Sequence, residues 1–390
     1  MRKIEVKDFI TIKEALYEPK RFNIIIGPQA TGKSLLVKLD YFFSEVFKLI
    51  YTYDILFEID FNFEKEVRKK FFKLFDKNII KNYKFEIEFS LNDIKIKITN
   101  KEKTTFLFNE EFFKLRENIR KEFSDFKNKN SLENNPFLEI DFFNQVTKKN
   151  RALRNVIFIP AGRTYFATLS KSIFTLLAGD NKLDDLLLQF GSYYENVSKR
   201  FQDSNFLEDK VIKSKILTIL KGDIKYSKEE NSLGVIQNSI FTRLSFLSSG
   251  QQEVLPLISI LVYNLQLKYN LTIEEPEAHL YPTSQKELIE LIAYIYNKGS
   301  NISLTTHSPY IITTVNNLLL LDEKKDKINK DSSLYKKLDF KISSKDISAY
   351  TIENGILKDI YDKENNLIDA YSIDRVSEEL SQEFDELLEL

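Results

Sequence analysis

The stretch FNIIIGPQATGKSLLVKL, residues 22–39, decides the fold of this 390-residue chain. Its first five residues, 22–26, are an apolar run typical of a buried strand. The next eight, 27–34, read G-x-x-x-x-G-K-S and lead directly into a helical pattern. A glycine-containing loop of this spacing between a strand and a helix is a P-loop. The sequence therefore predicts an α/β fold built around a phosphate-binding loop.

The residue types in the loop suit phosphate binding. Gly27 and Gly32 allow the backbone to curl so that its N–H groups point at phosphate oxygens, and the following helix adds its positive N-terminal end. Lys33 is predicted to reach the terminal phosphates, and Ser34 is predicted to bind Mg²⁺. A chance match in a glycine turn is the alternative, but it does not explain the flanking strand and helix. The predicted nucleotide contacts are Gly27, Gln29, Ala30, Thr31, Gly32, Lys33 and Ser34.

A second motif is FLSSGQQE, residues 246–253, which precedes an apolar segment that predicts a helix through about Lys268. A Ser-Ser-Gly step into a helix provides a second helix start at which an anion can bind. The same sequence is more often a simple helix N-cap. Both interpretations stay open for Ser248, Ser249, Gly250 and Gln251.

A third motif is LTIEEPEAHL, residues 271–280, which predicts an apolar strand that ends in two acids and is stopped by Pro276. The C-terminal end of a parallel strand is where such a sheet presents groups to a ligand. Glu274 is predicted to hold Mg²⁺, and Glu275 is predicted to polarise an attacking water. The alternative is an acidic loop at the surface.

A fourth motif is NISLTTHSP, residues 301–309, a predicted strand that delivers His307 to its end. A single histidine is more often structural than functional. After the three preceding motifs, however, we predict that His307 contacts the terminal phosphate and acts in catalysis with Glu275.

These four motifs, in this order, resemble the head domain of ABC-type ATPases. EEPEAHLYP (274–282) and THSP (306–309) are similar to the SMC/RecF/OLD-like branch, and NVIFIPAGR (155–163) is similar to an element of OLD-like ATPases. Within the branch the chain resembles the AAA_15- and AAA_21-like groups. The resemblance covers residues 1–315 and is weak within 45–150.

The resemblance implies a P-loop NTPase fold with a mixed sheet, a helical signature lobe and an inserted region of β-hairpin and helix. It implies ATP and Mg²⁺ as cofactors. It also implies a homodimer or higher oligomer in which Ser248 and Gly250 of one subunit cover the ATP of the other. The first Walker B acid is Glu274 rather than the commoner Asp. No Q-loop glutamine is identifiable, and Arg163 is expected in that neighbourhood.

The predicted organisation has a head, an insertion and a C-terminal part. The insertion contains an alternating hairpin, an amphipathic helix and a polar loop, and the C-terminal part contains a hairpin around Asn354-Gly355 and an acidic helix. No heptad repeat is sustained, which argues against a coiled-coil arm. Fewer than 85 residues follow His307, too few for the Toprim nuclease of OLD-like relatives. The predicted ranges are 1–45 and 150–320 for the head, about 165–250 for its helical lobe, 46–149 for the insertion, 85–98 for its hairpin, 110–128 for its helix, 127–136 for its loop and 321–390 for the C-terminal part.

Composition excludes several classes of protein. Lys+Arg is 57 and Asp+Glu is 58, so the net charge of −1 excludes a wholesale polycation but not a local basic patch. The absence of Cys excludes disulfides, Cys-bound metals and a thiol nucleophile. No export signal or membrane span is recognisable, so a cytoplasmic protein is expected. Residues 371–390 hold seven acids and one base, which makes this tail a candidate docking segment.

Three functions are consistent with these patterns. The first is an ATP-driven dimeric switch that controls a separately encoded nuclease or toxin, since the chain resembles ATPase subunits of bacterial anti-phage systems such as PARIS or Septu. The alternative is a RecF-like DNA-binding ATPase of repair or recombination. Residues 51–150 hold 20 basic and 18 acidic residues, which favours a solvated face over a DNA track. A transporter subunit is disfavoured by the Glu-Ala-His-Leu sequence after Pro276.

Overall fold

A computed structural model of the chain describes residues 2–56, 62–129, 138–149, 154–165, 167, 184–202, 208–265, 267–369 and 371–388. The chain folds into two compact units. Unit one comprises Met1–Pro19, Ala30–Phe158 and Ile352–Lys358, and unit two comprises Lys20–Gln29, Ile159–Thr351 and Asp359–Leu390. The predicted head, insertion and C-terminal part are functional divisions that do not follow these compact units, and they stay a prediction.

The elements follow one another as a mixture of strands and helices, which confirms the predicted α/β class. The helices are α1 (Lys33–Tyr51), α2 (Phe63–Leu74), α3 (Lys77–Ile80), α4 (Glu110–Lys129), α5 (Leu138–Lys149), α6 (Asp185–Arg200), α7 (Lys210–Leu220), α8 (Ser249–Tyr263), α9 (Pro282–Asn297), α10 (Pro309–Glu323) and α11 (Tyr371–Leu388). The strands are β1 (Arg2–Phe9), β2 (Ile12–Tyr17), β3 (Phe22–Ile26), β4 (Phe85–Leu91), β5 (Ile94–Asn100), β6 (Thr104–Phe108), β7 (Val156–Ile159), β8 (Asp223–Ser227), β9 (Ser232–Gln237), β10 (Ile240–Arg243), β11 (Asn270–Glu274), β12 (Asn301–Thr306), β13 (Ile347–Glu353), β14 (Ile356–Asp359), β15 (Tyr361–Asp362) and β16 (Leu367–Ile368).

Unit one contains an antiparallel array in the order β6-β5-β4-β1-β2. The predicted hairpin is confirmed, with Leu91 of β4 opposite Ile94 of β5. Alternate residues of β4 are buried, as the strand period of two requires. The core is rich in phenylalanine, and Phe43 of α1 stacks on Phe89 of β4 with ring centroids 4.6 Å apart.

The predicted helix at 110–128 is confirmed as α4, which extends to Lys129. The first three residues of the predicted polar loop, 127–129, are therefore helical, and residues 130–136 lie outside the described residues. The last turn carries Lys127 and Lys129, and cations at a helix C-terminus favour continuation of the helix because they complement its dipole. The prediction of a loop was wrong at these three positions.

Unit two is organised around the parallel order β13-β3-β12-β11. All five residues of β3 are buried, as is typical of a central parallel strand, and β3 pairs with β13 on one side and with β12 on the other. Helix α8 ends at Tyr263, before the predicted end near Lys268. The Asn264 amide explains the early end, since it donates to the Ile260 carbonyl at 2.7 Å and accepts from the Tyr193 hydroxyl at 2.7 Å.

The predicted helical lobe at about 165–250 is only partly helical. Helices α6 and α7 agree with the prediction, whereas residues 223–243 form the antiparallel sheet β10-β9-β8. The alternation that specifies this sheet is visible in β8, where Ile224 and Tyr226 are buried and Lys225 between them is exposed. Residues 168–183 of the predicted lobe lie outside the described residues.

The C-terminal part has the predicted elements. Strands β13 and β14 flank a turn in which Asn354 and Gly355 have φ of 51° and 83°, the left-handed pair of a type I′ hairpin turn. The predicted acidic helix is α11. No helix among the described residues is both long enough and apolar enough to cross a membrane.

Candidate functional site

The parallel strands of unit two end together at one edge. Ile26 of β3 lies beside Thr306 of β12, and Thr305 lies beside Glu274 of β11. The P-loop begins directly after Ile26, the acidic pair stands at the end of β11, and His307 follows β12. The carboxyl ends of parallel strands are where such sheets bind ligands. The first, third and fourth motifs therefore meet at one edge of the sheet, where the end of β12 lies between the ends of β3 and β11.

The P-loop has the backbone that its glycines predict. Gly27, Ala30 and Gly32 have φ of 147°, 60° and 110°, the region that L-residues rarely adopt. A Cβ on Gly32 would lie 2.8 Å from Cγ1 of Ile12, so a side chain does not fit there. Lys33 begins α1 and is only 5% exposed.

The two acids after β11 have different environments. Glu274 is the last residue of the strand and is buried. Glu275 follows it in the left-handed region with φ of 43°, and its N–H donates to the Thr305 carbonyl at 3.0 Å. A non-glycine residue held in this region costs about 1–3 kcal/mol and persists when the surroundings enforce it, most often at functional sites. The Glu275 conformation is therefore compatible with its predicted role, which stays a prediction.

The Glu275 carboxylate lies against the predicted histidine. His307 Nε2 is 2.8 Å from Glu275 Oε1. Sequence reasoning missed a third participant, Glu277, whose Oε1 accepts from the Thr306 hydroxyl at 2.7 Å and from the His307 N–H at 2.7 Å. Glu277 thus fixes the backbone at His307, and its place in the E-E-P-E run was the available signal.

Arg163 lies behind the acidic pair. Its side chain is fully buried, its Nη1 donates to the Glu274 carbonyl at 2.9 Å and its Nη2 donates to the Glu275 carbonyl at 3.0 Å. Burial lowers the pKa of the guanidinium, and the charge of Glu253 opposes that shift. Arg163 thus holds the backbone on which both acids stand, and its expected place in the neighbourhood of a Q-loop stays a prediction.

Glu253 ties this arginine to helix α8. Its Oε2 accepts from the Arg163 N–H at 3.0 Å, its Oε1 accepts from the Thr164 N–H at 3.0 Å, and its carbonyl accepts from Arg163 Nε at 2.9 Å. Sequence reasoning missed Glu253, which lies five residues after Ser248 in the second motif. The buried pair connects the helix that begins at the second motif to the end of β11.

We expect Arg163→Met to lower the free energy of unfolding by about 3–5 kcal/mol, because the substitution leaves the Glu253 carboxylate buried without its cation. Urea unfolding followed by circular dichroism measures the loss. The double variant Arg163→Met with Glu253→Gln removes the unpaired charge and keeps one oxygen that can accept from one of the two backbone N–H groups at positions 163 and 164. It should recover at least about 1 kcal/mol. A double variant as unstable as the single one would contradict the assigned charge pairing.

The second motif forms a helix N-cap in this chain. The Ser248 hydroxyl accepts from the Gln251 N–H at 3.4 Å, and Gln251 Oε1 accepts from the Ser248 N–H at 3.2 Å, which completes a capping box. The side chains of Ser248 and Ser249 are exposed. The cap interpretation is therefore realised, and a contact of this surface with nucleotide in another subunit stays a prediction.

Gly250 lies close to the loop after the acidic pair. A Cβ at this position would be 2.6 Å from the His279 carbonyl oxygen, which is backbone and cannot rotate away. We expect Gly250→Ala to lower the free energy of unfolding by about 1–3 kcal/mol. The neighbouring exposed position provides the control, and Ser249→Ala should stay within about 0.5 kcal/mol of the wild type in the same denaturant titration. Equal stability of both variants would show that the close approach is absent.

The two predicted Mg²⁺ ligands, Ser34 and Glu274, carry oxygen donors, the type that Mg²⁺ prefers. Among the described residues no group of three or more His, Asp or Glu is arranged to hold a metal. Mg²⁺ is usually bound through one or two protein oxygens together with phosphates and waters. The hydroxyl of Ser34 and the carboxylate of Glu274 are oxygen donors of that kind, and their binding of Mg²⁺ stays a prediction.

A buried strand, a P-loop and a helix, followed by acids and a histidine at neighbouring parallel strand ends, define an ABC-type P-loop ATPase, the class that the sequence predicted. A family model described as "AAA domain, putative AbiEii toxin, Type IV TA system" matches residues 22–313, about three quarters of the chain. The chain belongs to this family.

Two curated proteins match part of this chain in sequence. The energy-coupling factor transporter ATP-binding protein EcfA2 from two strains of Streptococcus pneumoniae is 28% identical over 138 residues, which are 34% of this chain and 48% of that protein. The chain thus spans about half the length of these curated relatives.

Two solved structures also align with the chain. The SMC head bound to the C-winged helix domain of ScpA aligns with a TM-score of 0.42 at 13% identity, covering 92% of this chain and 96% of that one. The SMC head domain from Thermotoga maritima aligns with a TM-score of 0.39 at 12% identity, covering 92% and 97%.

Proposed function

We propose that this chain binds ATP with Mg²⁺ and hydrolyses it as a dimeric switch that controls a separately encoded effector. The observation that carries the ATPase is the pairing of Glu275 with His307, whose side chains are 2.8 Å apart, at the strand edge where the P-loop begins. Family membership and the spacing of the P-loop support nucleotide binding.

In the proposed site the P-loop residues Gly27, Gln29, Ala30, Thr31, Gly32 and Lys33 hold the phosphates, and Ser34 and Glu274 are the Mg²⁺ ligands. When bound, Mg²⁺ neutralises charge on the phosphate oxygens. Lys33 places its ammonium group at the terminal phosphates.

Glu275 is the proposed general base, because a carboxylate at this position can accept a hydrogen bond from the attacking water and orient it. His307 holds one oxygen of Glu275 and contacts the terminal phosphate. Arg163 and Glu277 act indirectly, since they fix the backbone of Glu275 and His307 respectively. In the proposed reaction Glu275 and His307 are the residues that handle protons. Arg163 holds the backbone of the first, and Glu277 holds the backbone of the second.

Dimerisation through ATP is the second step of the proposal. The start of α8, with its N-cap Ser248 and with Ser249, Gly250 and Gln251, would contact the nucleotide of the other subunit. Sedimentation velocity with and without ATP tests this step. We expect a monomer without nucleotide and a homodimer or higher oligomer with ATP when hydrolysis is blocked. A distribution unchanged by nucleotide would exclude the shared site but leave hydrolysis within one subunit intact.

The last step of the proposal concerns the effector and the pathway. The description of the family names a toxin of a type IV TA system, which is compatible with bacterial anti-phage defence. Helix α11 gives an effector a surface to recognise, since its Leu380, Phe384, Leu387 and Leu388 are more than 60% exposed beside acidic residues. We also propose a cytoplasmic location, because the proposed reaction consumes ATP.

An ATPase assay with and without duplex DNA tests the switch against the RecF-like alternative. The proposed switch is slow or regulated, so its basal rate should be low and little changed by duplex DNA. The product of a neighbouring nuclease or toxin gene, purified and added at equal concentration, should change that rate. Strong stimulation by DNA alone at moderate salt would replace the effector switch by a DNA-dependent ATPase.

A further inference from the structure

Unit one contains a pocket that the ATPase site does not use. Its volume is about 480 Å³, within the range of small-ligand sites. Its lining comes from α2, from the segment that begins with α3, and from the turn between β5 and β6. Six lining residues are basic, and Glu102 is the acidic one among the described residues. The basic residues are Lys65, Arg68, Lys69, Lys77, Lys81 and Lys103.

Most of these cations have no carboxylate partner among the residues that the structure describes. Arg68 pairs with Glu64 at 3.3 Å, and Lys69 approaches Glu66 at 3.8 Å. The other four, Lys65, Lys77, Lys81 and Lys103, have no carboxylate within the 4.0 Å limit of a salt bridge among the described residues. Cations gathered around one cavity repel one another unless anions bind between them. The pocket therefore calls for an anionic ligand.

A network of hydrogen bonds around Asn100 holds the floor of the pocket. Asn100 is buried, and its Nδ2 donates to the carbonyl oxygens of Ile80 at 3.2 Å and Tyr83 at 2.7 Å. Its Oδ1 accepts from the Thr104 hydroxyl at 3.0 Å, and the Thr104 carbonyl accepts from Arg68 Nη1 at 2.9 Å. This network connects all three segments that carry the lysines, so their positions are fixed with respect to one another.

One apolar surface faces the charges. Phe72 of α2 lines the pocket, and Lys77 Nζ lies 5.8 Å from the centre of its ring. An aromatic ring among basic side chains is the combination that stacks a base while cations hold the adjoining phosphates.

We propose that this pocket binds a ligand that carries several phosphate groups, supplied either by a nucleic-acid strand or by a free nucleotide or polyphosphate. The inference does not rest on the proposed ATPase, because none of its residues belongs to the P-loop or to the acidic pair. The nearly equal count of 20 basic and 18 acidic residues in 51–150 gives no sign of this basic pocket. The pocket becomes basic because folding pairs some of the acids along α2 and brings lysines of three segments together.

The test uses the full chain with Lys33→Ala, which removes phosphate binding at the P-loop. The pocket variant adds Lys77→Ala, Lys81→Ala and Lys103→Ala. The matched control adds Lys225→Ala, Lys228→Ala and Lys330→Ala, exposed lysines of unit two that remove the same charge elsewhere. Fluorescence anisotropy follows a labelled single strand of about 20 nucleotides over a range of salt concentration.

We expect the pocket variant to bind the strand at least about tenfold more weakly, with a salt slope smaller by about 2, because about 0.7 counterions are released for each phosphate contact. The control triple should bind within about twofold of its parent. Tripolyphosphate and duplex DNA, added as competitors, identify the source. Displacement by tripolyphosphate supports a free polyphosphate ligand, and displacement only by strands supports nucleic acid. Equal binding by the pocket and control variants, or a parent that binds neither the strand nor, by titration calorimetry, tripolyphosphate, would overturn the proposal.

The same three pocket substitutions in a chain that keeps Lys33 separate this site from the ATPase. Basal ATP turnover of that variant should equal that of the wild type, since the three lysines are remote in sequence from every proposed catalytic residue. Unchanged turnover with lost strand binding supports an independent site. Loss of both, with circular dichroism showing a folded chain, would contradict that independence.

Discussion

Glu275→Gln is expected to lower ATP turnover by about 10²–10⁴-fold, the usual contribution of a general base, while leaving nucleotide binding close to that of the wild type. The amide has nearly the shape of the carboxylate and can still accept a hydrogen bond from His307, but it cannot take a proton from water. The P-loop is untouched, so the phosphate contacts remain. The variant should therefore accumulate the closed, ATP-bound dimer.

Two measurements check this expectation. A steady-state phosphate-release assay gives the turnover, and isothermal titration calorimetry gives the affinity for ATP. Glu229→Gln, an exposed acid of the same unit, removes the same charge and should turn over ATP at the wild-type rate. Turnover by Glu275→Gln at the wild-type rate would show that another group activates the water, and the assignment of Glu275 would then be wrong.

The backbone at Glu275 makes this variant more informative than an alanine. Glu275 has φ of 43°, and a carbonyl hydrogen bond from Arg163 and an N–H hydrogen bond to Thr305 hold it there. Glutamine meets the same conformational demand with the same side-chain length, so the backbone strain is preserved. A loss of rate in this variant then reports chemistry rather than a collapsed loop.

The sequence predicted the elements that depend on local patterns. The strand at 22–26, the P-loop and the edge position of Glu275 and His307 follow from apolar runs, glycine spacing and the rule for parallel sheets, and the structure shows them. The supporting contacts depend on residues far apart in the chain. Arg163 meets Glu253 across 90 positions, and no local pattern indicates that pairing.

Contacts between residues explain the local structure of the second motif and of the segment 223–243. Ser248 and Gln251 satisfy each other in a capping box, so the helix start is complete within the chain. The segment 223–243 lies within the range of the predicted helical lobe, and it forms a sheet in which Gly234 lets a neighbouring strand approach: a Cβ there would be 2.3 Å from the Thr242 carbonyl oxygen. Packing between strands, together with the alternation seen in β8, specifies that part of the fold.

Lys33→Ala should weaken ATP binding by about 100-fold or more. A hydrogen bond to a charged group contributes about 1.5–3 kcal/mol, and the proposed role of Lys33 gives it contacts with two phosphates. Because its side chain is only 5% exposed, solvent screens its charge weakly, and water replaces it poorly. Titration calorimetry with ATP and Mg²⁺ measures the change in Kd.

Lys38→Ala is the matched control, since Lys38 lies on the same helix, beyond the loop, and the substitution removes the same charge. Its Kd for ATP should stay within about threefold of the wild type, because a partly exposed charge outside the loop has little interaction with the phosphates. Circular dichroism establishes that both variants are folded. If Lys33→Ala bound ATP as tightly as Lys38→Ala does, the residues of the P-loop would not be the nucleotide site. The dimer held together by ATP would then lose its basis, because the phosphates would have no buried cation to bind them at the end of β3.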